Sequence, residues 1–195
     1  RYLSERERTI LESAVIGIAG AGGLGSNCAC HLVRSGVRNL ILADFDTVNA
    51  SNLNRQFFFQ DQLGLPKVDA LADNLRRISP DLNLTLHNCR LTPRNMPEIF
   101  ASCTMVAECF DQSESKMDLI QIMAEEKKPL VGVSGIAGWG RSTELAIRKI
   151  GKTGYLIGDF HTGVSADKPP FSPRVGIAAA MQANTILSLL LGEAI

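Results

Sequence analysis

The stretch AVIGIAGAGGLGSNCACHLVRSG, residues 14 to 36, constrains the fold more than any other part of the sequence. Residues 14 to 20 are apolar and rich in β-branched side chains, which predicts a strand, and residues 22 to 36 have a helical pattern. Glycines between a strand and a helix permit a tight turn, close approach of a phosphate and packing of the helix on the strand. We therefore expect a phosphate at the helix amino end, next to Gly20, Gly22, Gly23 and Gly25. The alternative is a tight turn without a ligand.

Strands and helices alternate along the rest of the chain, as they do in βαβ units. This alternation predicts an α/β fold with a Rossmann-like, mostly parallel sheet, helices on both faces and later antiparallel strands. We expect a single domain over residues 1–195. The further predicted strands are 38–44, 82–88, 105–110, 129–135, 142–149 and 154–159, and the further predicted helices are 66–79, 113–128 and 174–192.

Composition narrows the classes of partner. Lysine and arginine together number 20, as do aspartate and glutamate, so the overall charge gives no reason to expect nucleic acid or a membrane surface as a partner. The longest apolar run, ILSLLLGEAI, is shorter than the roughly 20 residues of a membrane-spanning helix. Because the chain begins at Arg1 rather than Met, we expect a trimmed piece. Five cysteines without CxxC spacing argue against a disulfide framework and a zinc site and suit a reducing cytoplasm: Cys28, Cys30, Cys89, Cys103 and Cys109.

Polar side chains cluster after the second predicted strand. Asp44 ends that strand about twenty residues after the glycines, where this fold uses a carboxylate to bind a ribose hydroxyl. The segment NLNRQ, residues 52 to 56, follows it. A triphosphate needs more cations than the pyrophosphate of NAD, and Arg55 and Lys67 supply them. The cluster therefore favours ATP over NAD.

Two uncharged residues of the same segment complete the predicted nucleotide site. Asn52 and Gln56 orient the nucleotide without adding charge. Each residue also has a structural interpretation, because exposed basic side chains are usually solvated and Asn52 is suited to capping a short helix. Taken singly, Asn52 and Gln56 fit the structural interpretation better, but that interpretation weakens when Arg55 and Lys67 flank the same predicted pocket.

A magnesium ligand is predicted at the end of a later strand. Asp111 follows the strand MVAECF at the carboxyl edge of the sheet, where open α/β folds bind their ligands. A carboxylate beside a polyphosphate suits Mg²⁺, and Asp46 is a second candidate. The alternative role for Asp111 is a cap for the helix that starts in SESKMDL.

These motifs match a known family in order and spacing. The segments GAGGLGSN, ADFDTVNASNLNRQ, GLPK, ECFDQ and PRVGIAAAMQAN resemble the signature of the ThiF/MoeB proteins, bacterial relatives of ubiquitin-activating enzymes, over almost the whole chain. SNLNRQ after a D-x-D pattern is much more specific than the glycine motif. Within the family, the chain looks most similar to the short ThiF type, the adenylyltransferase of ThiS-like sulfur carriers in thiamine biosynthesis.

The resemblance implies a reaction in the cytoplasm. The C-terminal Gly-Gly carboxylate of a carrier protein attacks the α-phosphate of ATP, giving an acyl-adenylate and pyrophosphate. Asp44 and Asp46 would then bind the nucleotide and Asp111 would bind Mg²⁺. The residues that would hold the phosphates are Asn52, Arg55, Gln56 and Lys67. Catalytic roles would belong to Arg55, Lys67 and Asp111.

The resemblance also implies a homodimer in which an N-terminal arginine reaches the γ-phosphate of the partner subunit. Arg1 is the first candidate, followed by Arg6 and Arg8. Larger family members carry two CxxC pairs for zinc and many have a cysteine for later sulfur transfer. The CxxC pairs are absent from this sequence and no cysteine follows Cys109, so adenylation is better supported than a thiol step.

Residues 159 to 173 are polar and rich in proline, which predicts a mobile surface loop, and the family threads the carrier tail past this segment. His161 in the loop is a possible ligand or base, although a lone loop histidine is more often neither. Trp139 either lines the carrier-binding face or packs beneath it.

Three other functions stay open at the level of sequence. The glycine motif with Asp44 also fits an NAD-dependent oxidoreductase, although no hydride-transfer partner is visible. A non-catalytic carrier-binding module would keep the same fold. A relative that adenylates a MoaD-like carrier or a tRNA base would share the nucleotide chemistry, but neutral net charge makes tRNA less attractive.

Overall fold

The computed structural model describes residues 2–195, so Arg1 lies outside the described residues. Seven strands form one sheet in the order β3-β2-β1-β4-β5-β7-β6. Only the β6–β7 pair is antiparallel among the described strand pairs. This arrangement confirms the predicted α/β fold with a mostly parallel sheet and later antiparallel strands. The strands are β1 Val15–Ala19, β2 Asn39–Asp44, β3 Asn83–Asn88, β4 Met105–Glu108, β5 Leu130–Val133, β6 Ala146–Ile150 and β7 Gly154–Gly158.

The helices agree with the sequence pattern in most places, with three differences. A helix at Glu5–Ser13, opened by a capping box of Ser4 and Glu7, and a short helix at Met96–Ile99 were not predicted. The predicted strand 142–149 begins instead with a 3-10 turn at Ser142–Glu144. The helices are α1 Glu5–Ser13, α2 Gly23–Arg34, α3 Lys67–Arg76, α4 Met96–Ile99, α5 Ser113–Glu125 and α6 Ser172–Leu191.

Two apolar layers cover the sheet, one on each face. The larger layer joins α1, α2, α3 and α6 to the strands, and the smaller layer joins α4 and α5 to the opposite face. Helices on both faces are what right-handed crossovers between parallel strands produce. The carboxyl ends of β1, β2 and β4 consequently lie side by side at one edge of the sheet, which is where such folds place their ligands.

Helix α6 begins two residues before the predicted 174–192 and ends one residue before its end. Its 20 residues have a mean hydropathy of 1.3 in an 18-residue window, so by length and composition it could cross a membrane. In the fold, 44% of that window is buried and the helix packs against α2 and β5. Gln182, near its middle, is buried and donates hydrogen bonds to Glu108 O at 3.0 Å and Val131 O at 2.7 Å. These contacts are those of a core helix.

Candidate functional site

The glycine motif forms a tight turn that leaves the amino end of α2 open. Gly20 has a φ of +99°, in the left-handed region that favours glycine, and a Cβ on Gly25 would lie 1.8 Å from Gly20 O. Gly22 and Gly23 begin α2, and no side chain caps this helix end. The nearest atom to a Cβ on Gly22 would be Gln56 Nε2 at 3.8 Å, which leaves space above this glycine. N–H groups of an uncapped first turn are available to bind an anion.

Asp44 organises the loop on which the nucleotide was predicted to bind. Its carboxylate accepts a hydrogen bond from Ala21 N at 2.6 Å and another from Asp46 N at 2.8 Å. Asp44 thus ties the end of β2 to the glycine turn after β1. Because its side chain is only half-buried, its remaining lone pairs can still accept a hydrogen bond from a ribose hydroxyl.

Lys67 lies in the same region, at the first position of α3. Its Nζ is 2.9 Å from Asp46 Oδ2, and its backbone N donates to Asp46 O at 2.9 Å. The Lys67 side chain is 8% exposed whereas that of Asp46 is 46% exposed. Asp46 therefore holds a nearly buried cation at the edge of the sheet, which makes Asp46 a positioning residue for Lys67.

The NLNRQ segment packs directly against the start of α2. Asn27 Nδ2 donates to Gly23 O at 2.7 Å and to Arg55 O at 2.9 Å. Ser26 Oγ accepts a hydrogen bond from Phe57 N at 2.9 Å. Asn27 and Ser26 were not predicted as site residues, although both stand directly after the glycine motif in GAGGLGSN. They place the two predicted halves of the site against each other.

Three residues of the segment differ in how they are used. Asn52 Oδ1 accepts a hydrogen bond from Asn49 N at 3.0 Å, which is the helix-capping role weighed as its alternative. Arg55 is half-buried and its Nη1 donates to Ser51 O and Asn54 Oδ1, so the guanidinium is positioned by its own segment. Gln56 is 8% exposed and its Oε1 is buried without a hydrogen-bond partner among the described residues. A buried amide oxygen of this kind calls for a donor, which a bound ligand or water supplies.

Asp111 is exposed at the end of the turn after β4, and among residues 2–195 its carboxylate accepts no hydrogen bond. Gln112 occupies the N-cap position of α5 instead, so Asp111 does not cap that helix. Three residues earlier, Glu108 is fully buried, and burial raises the pKa of its carboxyl while Lys116 opposes that rise. Glu108 and Lys116 form an ion pair that the sequence analysis did not detect.

The segment after β7 is irregular from Asp159 to Phe171, and α6 begins at Ser172, inside the predicted loop. Its start is fixed by a buried cluster in which Asp159 Oδ2 lies 2.6 Å from Arg174 Nη2 and accepts from Thr162 Oγ1 at 2.7 Å. Burial acts to raise the pKa of Asp159, but hydrogen bonds from Thr162, the backbone N of His161 and Arg174 hold it below its usual range. His161 is exposed and also contacts Asp159, which is fully engaged by Arg174 and Thr162.

Trp139 is not packed beneath the surface. Its side chain is 68% exposed and stacks edge-to-face on Phe171, with ring centroids 5.2 Å apart. Arg174 Nη1 donates to Gly140 O at 2.5 Å, which ties the turn carrying Trp139 to the start of α6.

Arg6 and Arg8 lie apart from this edge, and Arg1 is outside the described residues. Arg6 and Arg8 are exposed on α1, and no hydrogen bond or ion pair within residues 2–195 joins them to the glycine turn. The carboxyl end of α1 contacts the start of β2 through Asn39 Nδ2 and Glu12 O at 2.6 Å, at the opposite edge of the sheet.

The cysteines offer no accessible thiolate beside the glycine turn. Cys28 and Cys109 are buried in the core, and burial raises the pKa of both thiols. Burial also raises the pKa of Cys103 to about 12, despite the opposing effect of Lys128. Cys89 lines an open cleft of about 470 Å³ with His87 and Glu98, beside β3 and away from the residues described above. These placements agree with the interpretation of Cys28 and Cys109 as small core residues.

The donor set at this edge fits a nucleotide triphosphate. The uncapped end of α2 suits a phosphate, and Arg55 and Lys67 carry positive charge. The side-chain nitrogen of Gln56 lies next to the same turn, and its oxygen is buried without a partner among the described residues. The exposed carboxylate of Asp111 is a hard oxygen ligand of the kind that Mg²⁺ accepts, usually with phosphate oxygens and waters completing its shell.

Comparison with known proteins agrees with a nucleotide-binding fold of this kind. A sequence model described as the ThiF family matches residues 2–195. The molybdopterin-synthase adenylyltransferase of Salmonella typhimurium is 31% identical over 186 residues, covering 92% of this chain and 74% of that protein. The adenylyltransferase and sulfurtransferase uba4 of Emericella nidulans is 36% identical over 132 residues, covering 67% of this chain and 27% of that protein. The chain thus spans about a quarter of the length of this second relative.

Among solved structures, the tRNA N6-threonylcarbamoyladenosine dehydratase TcdA of E. coli, in complex with ATP, superimposes with a TM-score of 0.88. The alignment covers 96% of this chain and 90% of that one at 22% identity. At this identity the likeness shows the shared fold.

Proposed function

The chain belongs to the ThiF family, and from that membership we propose that it is an adenylyltransferase that activates the C-terminal carboxylate of a ubiquitin-like sulfur carrier protein with ATP. One observation carries the proposal. The NLNRQ segment lies against the amino end of α2, held by the hydrogen bonds from Asn27 to Gly23 O and Arg55 O. A basic side chain, an orphaned amide and an open helix terminus thereby meet at one point.

The reaction requires positioning and charge neutralisation rather than a protein nucleophile. A carboxylate oxygen of the carrier attacks the α-phosphorus, the bond from that phosphorus to the bridging oxygen of the β-phosphate breaks, and pyrophosphate leaves. Two anions must approach each other, so fixed positive groups near the phosphates lower the barrier. Lys67, the guanidinium of Arg55 and the N–H groups of α2 are the groups of this chain that supply this field.

Asp44 and Gln56 orient the nucleotide in this proposal. Asp44 accepts a ribose hydroxyl while holding the glycine turn through Ala21 N, and the buried oxygen of Gln56 accepts a donor from the bound ligand or its water. Asp111 would hold Mg²⁺, which supplies charge neutralisation to the phosphate oxygens when it is bound. No zinc is part of the proposal.

The acceptor is a carrier ending in Gly-Gly, and we propose a ThiS-like carrier of thiamine biosynthesis. A MoaD-like carrier is the second candidate, because the relative with the widest coverage reported above is named a molybdopterin-synthase adenylyltransferase. The exposed Trp139–Phe171 pair lies beside the irregular segment after β7 and provides an apolar surface for the carrier. The proposal further includes a homodimer in the cytoplasm, in which an arginine among Arg1, Arg6 and Arg8 reaches the nucleotide of the partner subunit.

ATP–pyrophosphate exchange tests the proposal directly. Exchange is measured with magnesium and a ThiS-like carrier, a MoaD-like carrier, and the same carriers lacking the two C-terminal glycines. Exchange that requires an intact tail supports acyl-adenylate formation, and the more active carrier identifies the acceptor. ATP binding without exchange with either carrier would contradict the proposed acceptor class.

Two controls separate the alternatives. Titration with NAD tests the oxidoreductase interpretation, which tight NAD binding without ATP binding would favour. Carrier binding without ATP turnover would instead indicate a non-catalytic module. Sedimentation at several protein concentrations tests the homodimer, and a monomer at all concentrations would contradict an arginine supplied in trans.

A further inference from the structure

The turn that carries Asp111 contacts a buried ion pair formed by Glu108 and Lys116. Glu108, the last residue of β4, has no exposed surface, and its Oε2 accepts a hydrogen bond from Lys116 Nζ in the first part of α5. Lys116 Nζ also donates to Val133 O, at the end of β5, at 2.8 Å. One lysine therefore joins the ends of two neighbouring parallel strands to the helix that follows the turn.

The other oxygen of Glu108 contacts the turn itself. Phe110 N donates to Glu108 Oε1 at 2.8 Å, which fixes the backbone immediately before Asp111. Lys116 itself lies near the start of α5, so its ion pair with Glu108 joins the start of that helix to the end of β4. Asp111 is thus exposed on the short turn between Glu108 and the helix start that the pair anchors.

The fold makes room for this pair at a specific point. Gly132 in β5 lies beside Glu108, and a Cβ on Gly132 would be 2.8 Å from Glu108 Oε2. From the opposite face, Gln182 Nε2 donates to Glu108 O at 3.0 Å. The side chain of Glu108 is thus packed against β5, and its backbone is held by α6.

Stability alone gives a weak reason for such a pair. Removing two charges from water costs about as much as their attraction returns, so apolar residues of similar volume are often as stable. Lys116 also stands near the amino end of α5, where the helix dipole disfavours a cation. The connection that the pair makes between β4, the turn of Asp111 and the start of α5 provides a different reason.

We infer that the Glu108–Lys116 pair is a positioning device that fixes the Asp111 carboxylate for Mg²⁺ at the nucleotide phosphates, an inference that rests on the proposed function. Neither member of the pair would touch the nucleotide or the metal. Groups that orient a metal ligand through its neighbours typically contribute 10- to 100-fold in metal affinity.

The experiment measures how ATP binding depends on magnesium, by calorimetry over a series of Mg²⁺ concentrations. The magnesium midpoint is the Mg²⁺ concentration at which half of the increase in ATP affinity is reached. For Lys116→Met we expect this midpoint to rise about 10-fold or more, with ATP affinity in EDTA unchanged. Lys116→Arg should stay near the parent value because it keeps the charge. Glu108→Gln, which keeps the shape of the side chain, should shift the midpoint in the same direction and gives a second route if Lys116→Met does not fold.

Lys128→Met is the matched control. Lys128 Nζ also donates to a backbone carbonyl, Ala101 O at 2.7 Å, but Lys128 lies after the carboxyl end of α5, whereas Lys116 lies near its start. Its loss should leave the magnesium midpoint unchanged. A midpoint unchanged in both Lys116→Met and Glu108→Gln, or shifted equally in Lys128→Met, would overturn the inference.

Failure of the proposed function gives a different result. If the parent protein binds ATP with magnesium but shows no pyrophosphate exchange, the proposed reaction is wrong. The positioning inference is then still tested by the magnesium midpoints of the variants. If ATP binding of the parent does not respond to magnesium, or Asp111→Asn leaves the response intact, the inference is wrong. A parent protein that binds no ATP overturns both.

Discussion

Replacing Lys67 by methionine should strongly lower the rate of the proposed reaction and only slightly lower the stability of the fold. The substitution removes one positive charge from the edge of the sheet but keeps an unbranched apolar side chain, which suits a position where only 8% of the lysine side chain is exposed. Asp46, which lies 2.9 Å from Lys67 Nζ, then has no cation beside it. In the proposed function, its unpaired charge would then repel the phosphates, which adds to the loss of attraction.

The two effects differ in size. Loss of one preorganised charged donor typically lowers the rate about 100- to 1,000-fold, equivalent to about 2.7–4 kcal/mol of transition-state stabilisation. The Lys67–Asp46 pair contributes much less to folding, since Asp46 is nearly half exposed and pairs open to solvent contribute about 0–1 kcal/mol. For a chain of this size, a loss of about 1 kcal/mol lowers Tm by about 2–4 °C.

The assay is ATP–pyrophosphate exchange with the carrier, compared with thermal unfolding of the same preparations. Arg76→Met is the matched control because Arg76 ends the helix that Lys67 begins and pairs with Asp73 at 3.7 Å on the surface. We expect the control to exchange at the parent rate. Adding Asp46→Asn to Lys67→Met should recover part of the lost rate. Exchange by Lys67→Met within about threefold of the parent, or an equal loss in the control, would refute the role of Lys67.

Three further predictions concern the supporting structure. Because the pKa of Asp159 is lower in the folded protein than the value of about 3.9 in the unfolded chain, its carboxylate stabilises the fold at neutral pH, and this stabilisation is lost as the pH falls below about 5. In urea unfolding, Asp159→Asn should therefore lose less stability than the parent over that pH range. Parallel pH profiles of the two proteins would contradict this. Gly25→Ala places a Cβ 1.8 Å from Gly20 O and should lower stability by about 2 kcal/mol or more. Gly176 lies in α6, and a Cβ added there would meet no atom within 4 Å outside its own helix backbone, so Gly176→Ala should be neutral or stabilising by up to about 1 kcal/mol in the same unfolding assay. Equal losses of stability in the two variants would contradict the clash at Gly25. A thiol reagent added to the native protein should leave three buried cysteines unmodified until unfolding, and their rapid reaction would show that the core is open: Cys28, Cys103 and Cys109.

The sequence predicted the sheet, and with it the edge at which the candidate site lies, because both depend on local signals. Apolar strands, glycines at a strand-to-helix turn and Asp44 after a strand have patterns that can be read over a few residues. The structure then brought Arg55, Gln56 and Lys67 to that edge. Asn52 is the exception, since its side chain oxygen is used in its own short helix.

Contacts over long distances in the sequence were not predictable in the same way. The Asp159–Arg174 pair depends on two segments that meet only after β7 and α6 have packed. The role of Asn27 depends on Arg55 O, 28 residues away, and a backbone acceptor leaves no mark in the sequence. Helix α1 had no strong apolar pattern, because Leu11 is its only buried residue among those described. For each of these, the partner is set by the tertiary fold.

Helix α6 has a consequence for how the chain acquires its structure during synthesis. It follows all the other described elements in the sequence, yet it covers α2, with Val175 against Gly23 and alanines of the apolar core along the contact. Its Gln182 joins β4 and β5 from 74 and 51 residues away in the sequence. Contacts this remote slow folding and leave apolar surface exposed while they are missing. A ribosome-bound chain that has not yet released α6 would therefore expose the apolar side of α2, and the interval before release is when it would depend most on chaperones.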